Sequence, residues 1–478
     1  MGDRKAYPPI IHHLQLINVF MDELTQHTAA QLAALIRARS ISPVDVVDAH
    51  LRRIERLNPK LNAIVILAPD AIDNARKAED AVMRGDKLGT LHGVPITIKD
   101  TIETKGLRTT AGSSLFQGHV PQTDAPSVAL LKAAGAIVLG KTNVPEMAIP
   151  YECSNPLFGR TNNPYDLELT SGGSSGGEAA AISACLSSAG LGSDLSGSIR
   201  VPAHFCGIAG LTPTPGLVPS AGHIPPVTGT LSEGAVIGPM ARNVGDLALL
   251  LHVLANRERA ARPYQEENLQ GCRFASYVGA VPISEDTERT IKRALDALSD
   301  AGLVLVEEKP PALDEAADQW VSLFSAQSAT AIREIYRGHE EMAAPAVAAV
   351  LASLTELTPD DQAQEWAKRN ELRRQLLQWM ERTPLIIAPV GSVTAFKHGA
   401  RRVSVSGQSI SVFRAFGDSR VINVLGLPSV AVPAGRDVRG LPIGIQVIGM
   451  PYQERTVIQA AAIIEESLGG WKAEGLIA

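Results

Sequence analysis

Three things are scarce in this chain. Its 478 residues include only four cysteines, Cys153, Cys185, Cys206 and Cys272, with no C-x-x-C pair and no His/Cys cluster at metal-ligand spacing. The four read as free thiols of a reducing cytoplasm, and neither a disulfide framework nor a metal site is expected. Charge of one sign is also scarce, since 44 basic residues face 50 acidic ones for a net charge of −6, and no long run of either sign occurs. A nucleic-acid or polyanion partner therefore has no electrostatic support. Long apolar runs are missing too: nothing reaches the roughly 18 residues that a spanning helix needs, and His, Gln and Asn interrupt the N-terminal MGDRKAYPPIIHHLQLINVF. Neither a signal peptide nor a transmembrane segment is expected. What is present is ordinary globular material, 45% hydrophobic, enough to bury a large core.

Helix and strand signals alternate along the chain, which argues an α/β layer fold. SPVDVVDAHLRRIERLN opens with a Ser cap and a Pro suited to the first turn, predicting a helix over 42–58 that closes at Asn-Pro. A second helix over 71–85 ends at Gly85, and HGVPITIK at 92–99 changes to a β-branched run that reads as a buried strand ending in Lys99. The segment SVALLKAAGAIVLGKTN is a helix passing into the strand Ala136–Leu139, and residues 285–301 set Ile291, Ala294, Leu295 and Leu298 on one helical face before the strand LVLVEE. Residues 312–382, rich in Ala, Glu and Gln, read as a helical insertion or cap. Strands return at 385–390, 429–433 and 443–448, followed by a helix near 454–468. With no repeat and no long linker, one large domain over 25–470 is expected, with its core at 90–240 and an N-terminal extension at 1–24.

One stretch stands apart: TSGGSSGGEAAAISACLSSAGLGSDLSGSIRVPAHFCG, residues 170–207, is dense in Gly and Ser in mid-chain. A flexible linker would not carry the apolar segments EAAAISACL and IRVPAHFCGIAGL, which are costly to leave in water. A phosphate cradle would want a third glycine where GLGSDL has Leu195. Residues 172–176 match G-x-S-x-G, the nucleophile elbow around Ser174, but NNPYDLELT before them suits an exposed loop and not a central strand. No context singles out His204, His223 or His398 as the partner such a site needs. A serine can act with lysine instead, and Lys99 ends its strand facing this loop. At its ordinary pKa of about 10.4 roughly one lysine in a few thousand is neutral at pH 7, against about one in ten at a pKa of 8. The competing reading is a strand-end lysine paired with Asp100.

GGSSGGEAA followed by GLGSDLSGSIRVPAHFCGIAGL resembles the signature of the amidase signature family. The resemblance extends over about 25–468: HGVPITIKD looks like the family's lysine strand, GKTNVPEMAIPYECSNPLFGRTNNPYDL is similar to the fatty acid amide hydrolase branch, and NVLGLPSVAVPAG and GLPIGIQVIG look like its closing strands. It implies a single α/β/α domain with a twisted mixed central sheet. It also implies a Ser-Ser-Lys set with Ser198 as nucleophile, Ser174 as bridging serine after a non-proline cis peptide, and Lys99 as base. The backbone N–H groups of Leu195, Ser196, Gly197 and Ser198 would form the oxyanion hole, with Asp194 and Arg200 bracing the loop. Ala148, Ile149 and Tyr151, with Gly172 and Gly173, would border the substrate. Acyl transfer through an acyl-enzyme needs no metal or organic cofactor.

Where the family commonly has D-I-G-G-S, this chain has Ser196 in place of the first glycine. Either the loop avoids positive φ there or the hydroxyl joins the site. The expected substrate is a small-molecule amide with a hydrophobic acyl or aryl group, with esters and carbamates as side activities. Three alternatives stand: the glutaminase component of a tRNA-dependent amidotransferase, although AIREIYRGHEEMAAPAV lacks that branch's tyrosine-rich run; a Ser-His-Asp hydrolase using Ser174; and a catalytically silent binding protein on the same fold. A homodimer stays open.

Overall fold

Eleven short segments pair into one mixed sheet, and their order explains why residues distant in sequence meet. A computed structural model describes residues 21–255, 268–352 and 358–477. Residues 1–20 of the N-terminal extension and 353–357 of the helical insertion thus lie outside it. The strands of the large sheet are β1 (Ile64–Leu67), β2 (Pro95–Lys99), β3 (Ile137–Thr142), β4 (Ala189–Asp194), β5 (Ala209–Thr212), β6 (Val236–Ala241), β7 (Arg273–Ser276), β8 (Val304–Val306), β9 (Leu385–Pro389), β10 (Ser429–Arg436) and β11 (Pro442–Ile448). They lie in the order β1-β3-β2-β4-β6-β5-β10-β11-β9-β7-β8. β2 runs parallel to both β3 and β4, while β4 to β6 and the following pairings through β9 are antiparallel.

Side-chain alternation along β11 shows helices on both faces. Gly444 and Gln446 face the helix Arg200–Cys206, where a Cβ on Gly444 would stand 3.1 Å from His204 Cα and Gln446 meets Arg200. On the opposite parity, Ile445 and Val447 share a buried cluster with Val457 and Ile458 of the helix Glu454–Leu468. With both faces covered, β2 is buried along its whole length, which is why PITIK reads as a near-continuous apolar run.

β4 has the opposite composition, AGLGSD, for a steric reason. A Cβ on Gly190 would collide with the carboxylate of Glu178 and the carbonyl of Thr97, and one on Gly192 would lie 2.9 Å from Ser175 Oγ. These glycines let the helix Gly176–Ser183 and the loop before it press onto the strand.

The first predicted helix spans Pro43–Leu61 and runs past the expected stop at Asn-Pro. Pro59 sits in its last turn, and Asn58 ends it by accepting the N–H groups of Ala63 and Ile64, both at 2.9 Å. Residues 312–382 are helical as expected: Leu313–Trp320, Ala326–Tyr336, Pro345–Ala352 and Pro359–Met380. Leu313, Phe324, Leu376 and Met380 pack on Ile386, Ala388 and Ile422, while Ile332, Tyr336 and Val347 pack on Ala111, Met147 and Ile224. The insertion is thereby seated over one end of the sheet. Among the described residues no helix is long and apolar enough to cross a membrane.

Candidate active site

Lys99 closes β2 and is fully buried. Its Nζ lies 2.7 Å from Ser174 Oγ, 2.9 Å from Ser193 Oγ and 3.4 Å from the Ser193 carbonyl. The expected pairing with Asp100 is not found. Successive strand residues point to opposite sides, and the Asp100 carboxylate turns to Thr110, accepting its N–H at 3.1 Å. Burial pushes the Lys99 amine down to about 7, opposed by the negative charges of Asp194 and Glu178. At neutral pH a substantial fraction is therefore free base.

Ser174 follows a cis, non-proline peptide from Gly173, as the resemblance implied. Among the described residues no histidine hydrogen-bonds to it. His204 Nε2 lies 3.0 Å from the Val393 carbonyl and its Nδ1 accepts the Gly444 N–H at 2.7 Å, while His398 pairs with Glu152 at 3.1 Å. The strand before the motif, Asp166–Thr170, belongs to a two-stranded sheet and not to the central one. The elbow reading of Ser174 is corrected accordingly. Gly172 and Gly173, expected beside the substrate, are also tight packing positions: Gly172 has φ +82°, and a Cβ on Gly173 would stand 2.5 Å from the Pro150 carbonyl.

β4 ends at Asp194 and turns through Leu195–Ile199 into the helix Arg200–Cys206. The Asp194 carboxylate organises this turn. Oδ1 accepts the Gly197 N–H at 2.7 Å and Arg200 Nη2 at 3.0 Å; Oδ2 accepts the Ile199 N–H at 3.0 Å and Arg200 Nε at 3.2 Å. Both side chains are buried, and although desolvation opposes ionisation, the Arg200 guanidinium and these N–H groups hold the Asp194 carboxyl well below the usual range. Arg200 is fixed in turn by Gln446 at 2.9 Å and Asn423 at 2.6 Å.

The expected oxyanion loop is altered in one member. Gly197 spends its N–H on Asp194, whereas the N–H groups of Leu195, Ser196 and Ser198 take no bond among the described residues. Positive φ falls on Gly197 at +100°, and Ser196 stands outside that region, so the serine at the family's glycine position is unstrained. Two side chains hold the loop's carbonyls: Tyr151 Oη donates to Ser196 O at 2.6 Å, and Trp320 Nε1 donates to Leu195 O at 2.8 Å. The Ser198 carbonyl accepts the Ser175 N–H at 3.1 Å, which binds the two serine loops together. The Ser198 hydroxyl makes no hydrogen bond among the described residues.

A cavity of about 470 Å³ opens over these groups, lined by Ser174, Ser193, Ser198, Leu195 and Ser196, and by Ala148, Ile149 and Tyr151. Its far wall includes Trp320, Ile332 and Val350 from the insertion, together with Leu231, Val236 and Phe413. Lys99, Gly197 and Arg200 stand behind the lining. Sequence reasoning misses Ser193, His223 and Trp320: Ser193 is the next-to-last residue of a Gly-rich strand that gives no strand signal, and nothing near His223 or Trp320 in sequence points to a site.

Residues 45–458 match the family described as Amidase. At 33% identity the chain is similar to an indoleacetamide hydrolase of Bradyrhizobium diazoefficiens, covering 93% of this chain and 87% of that one. It is 32% identical to a glutamyl-tRNA(Gln) amidotransferase component of Anaeromyxobacter dehalogenans, over 94% and 97% of the two chains. It is also 31% identical to human fatty-acid amide hydrolase 2, over 93% and 90%. A crystal structure of an amidase superposes with a TM-score of 0.82 at 27% identity, covering 93% of this chain and all of that one. The protein is an α/β enzyme, a hydrolase of carbon–nitrogen bonds. It belongs to the amidase signature family.

Proposed function

We propose that this amidohydrolase works through Ser198, Ser174 and Lys99 on amides with a hydrophobic acyl or aryl group. The observation that carries the reading is the buried Lys99 amine, 2.7 Å from Ser174 Oγ in a cavity that Ser198 also lines. The neutral amine takes the Ser174 proton as Ser174 takes that of Ser198, and Ser198 attacks the carbonyl. The N–H groups of Leu195, Ser196 and Ser198 receive the oxyanion, with Asp194 and Arg200 bracing their loop. The same relay returns a proton to the leaving nitrogen, and water then releases the acyl group. A Ser198-to-Ser174 hydrogen bond is required by this reading; such contacts commonly tighten only in the reaction complex.

The lining supports the substrate class. It offers Ala148, Ile149, Leu231, Ile332 and Phe413; among the described residues it includes no lysine or arginine, its histidine, His223, is bonded to Ser193, and its one acid, Asp194, is committed to Arg200. Esters and carbamates fit the same chemistry, because an oxyanion hole reads a carbonyl and the pocket reads the rest. The likeness to the glutamyl-tRNA(Gln) amidotransferase component favours a second reading, glutamine hydrolysis within a complex. Against it, the charged α-amino and α-carboxyl groups of glutamine would enter this cavity unpaired. A single catalytic domain over 25–470 and a cytoplasmic location complete the reading, the latter supported by four free thiols.

Intact-mass analysis after fluorophosphonate treatment, with peptide mapping, tests it on wild type and Ser198→Ala. One adduct on Ser198, lost in the variant, is expected. Labelling at Ser174 that survives the substitution overturns it.

A further inference from the structure

We propose that His223 is a positioning residue that aims the lone pair of Lys99 at Ser174, acting through the hydroxyl of Ser193. The inference rests on Lys99 being the base and goes beyond it.

The hydrogen-bond partners fix where each proton sits. His223 Nδ1 lies 2.7 Å from the carbonyl of Pro225. A carbonyl only accepts, so Nδ1 carries the hydrogen and, in the neutral ring, Nε2 presents a lone pair. That lone pair lies 2.8 Å from Ser193 Oγ, so the Ser193 hydroxyl donates to it. Its proton committed there, Ser193 Oγ can only accept from Lys99 Nζ at 2.9 Å, and the Ser193 carbonyl at 3.4 Å can likewise only accept. Two of the three hydrogen-bond partners of Nζ among the described residues are thus fixed as acceptors. The third, Ser174 Oγ at 2.7 Å, is the one that can turn from acceptor to donor when the ammonium becomes an amine. The free-base lone pair therefore points along the relay.

The histidine is built to hold this role. Its backbone bridges to Ile102, and the next residue donates its N–H to the Thr101 carbonyl at 2.8 Å, so the loop is pinned to the segment that continues from Lys99. Burial draws the ring's pKa down to about 4, opposed by the bond to the Pro225 carbonyl and aided by the ionic groups around it, Lys99 and Lys141, which are cationic when charged; the ring stays neutral wherever Lys99 can work. Glu103 approaches the same loop through its backbone N–H to Gly222 O at 2.8 Å, but its carboxylate is taken by His119 at 2.8 Å.

Removing the acceptor frees the Ser193 hydroxyl to donate to the amine in competition with Ser174. The test is a set of four variants read by steady-state kinetics on a hydrophobic anilide. His223→Phe should lower the high-pH plateau of kcat about tenfold to a hundredfold with KM within about threefold, and raising the pH should not restore it. His223→Gln, whose amide oxygen reaches the Nε2 position, should recover most of the loss. The sharpest expectation concerns the double variant His223→Phe/Ser193→Ala. Deleting the misdirected hydroxyl should make it faster than His223→Phe alone, whereas a merely structural histidine predicts further loss.

A plateau kcat for His223→Phe within twofold of wild type, a Gln variant as slow as Phe, or a double variant no faster than the single one overturns the proposal. Should His223→Phe not fold, Ser193→Ala carries the test: it removes the competing donor with its acceptor and should keep at least a third of the wild-type plateau, a larger loss overturning the proposal. Fluorophosphonate labelling of Ser198 and its loss in Lys99→Met report separately on the Ser-Ser-Lys reading, so failure of one is distinguishable from failure of the other.

Discussion

At the scale of single residues the site depends on two buried charges handled in opposite ways. Lys99 is buried without an ion pair and is drawn toward neutrality, to about 7. In the proposed relay the active form is the free base, so kcat/KM should rise about tenfold per pH unit up to about pH 7 and level off above it; a profile flat between pH 5 and 8 would show that another group is the base. The same burial is a stability cost. Because the folded-state pKa lies below that of the unfolded chain, the cost is largest below pH 7 and fades as pH rises toward the ordinary lysine value. Lys99→Met should therefore abolish activity yet raise unfolding stability by a few kcal/mol at pH 6 and by less at pH 9, measured by denaturant titration. Asp194 is the reverse case, ionised and matched to Arg200 and two loop N–H groups. Asp194→Asn leaves a buried guanidinium without its charge partner and should cost about 3–5 kcal/mol, seen as a lowered denaturation midpoint.

At the scale of elements, what was legible in the sequence and what was not separate along a physical line. Strands buried on both faces by large side chains, such as Pro95–Lys99 and Pro442–Ile448, announce themselves as β-branched runs. Capped amphipathic helices such as Glu285–Asp300 do so by periodicity. β4 and β6 carry glycines where Glu178, Ser175, Ile199 and Leu211 press against the sheet, so the strands at the heart of the site have lost the residues that mark a strand. Lys99, Ser174, Ser198, Asp194 and Arg200 came from a motif, whereas His223 and Trp320 are set by tertiary contact. The second of these links two elements. Trp320 ends the helix Leu313–Trp320 and holds the carbonyl of Leu195. In a trans peptide the N–H opposes the C=O, so the bond fixes the direction of the Ser196 N–H. Trp320→Phe keeps the ring in the wall and removes the donor. It should lower kcat about tenfold with little change in KM; equal loss in both would assign Trp320 to binding alone.

At the scale of the whole molecule, the proposed relay and the wall of the cavity come from different parts of the chain. The lysine, the serines and the loop are carried by β2, β4 and the turns that follow them, while the insertion closes the far side of the cavity with Trp320, Ile332 and Val350. Tyr336 secures that wall to the core, donating to Glu146 at 2.8 Å and bonding Ser113, and Glu146 also accepts the Ala344 N–H at 2.7 Å. An enzyme divided in this way can alter its substrate without altering its chemistry. Ile332 is 2% exposed and lines the cavity, so Ile332→Asp puts an unpaired carboxylate into the wall that the proposed hydrophobic acyl or aryl group would meet. Its kcat/KM for a long-chain or aryl amide should fall about a hundredfold, while the rate of Ser198 labelling by a methyl-sized sulfonyl fluoride should stay within about threefold of wild type. Equal loss on both would mean that the insertion supports the catalytic groups as a whole. Unchanged amide hydrolysis would move the acyl group to another wall, and glutamine turnover by the wild type exceeding that of the anilide would return the cavity to the amidotransferase reading.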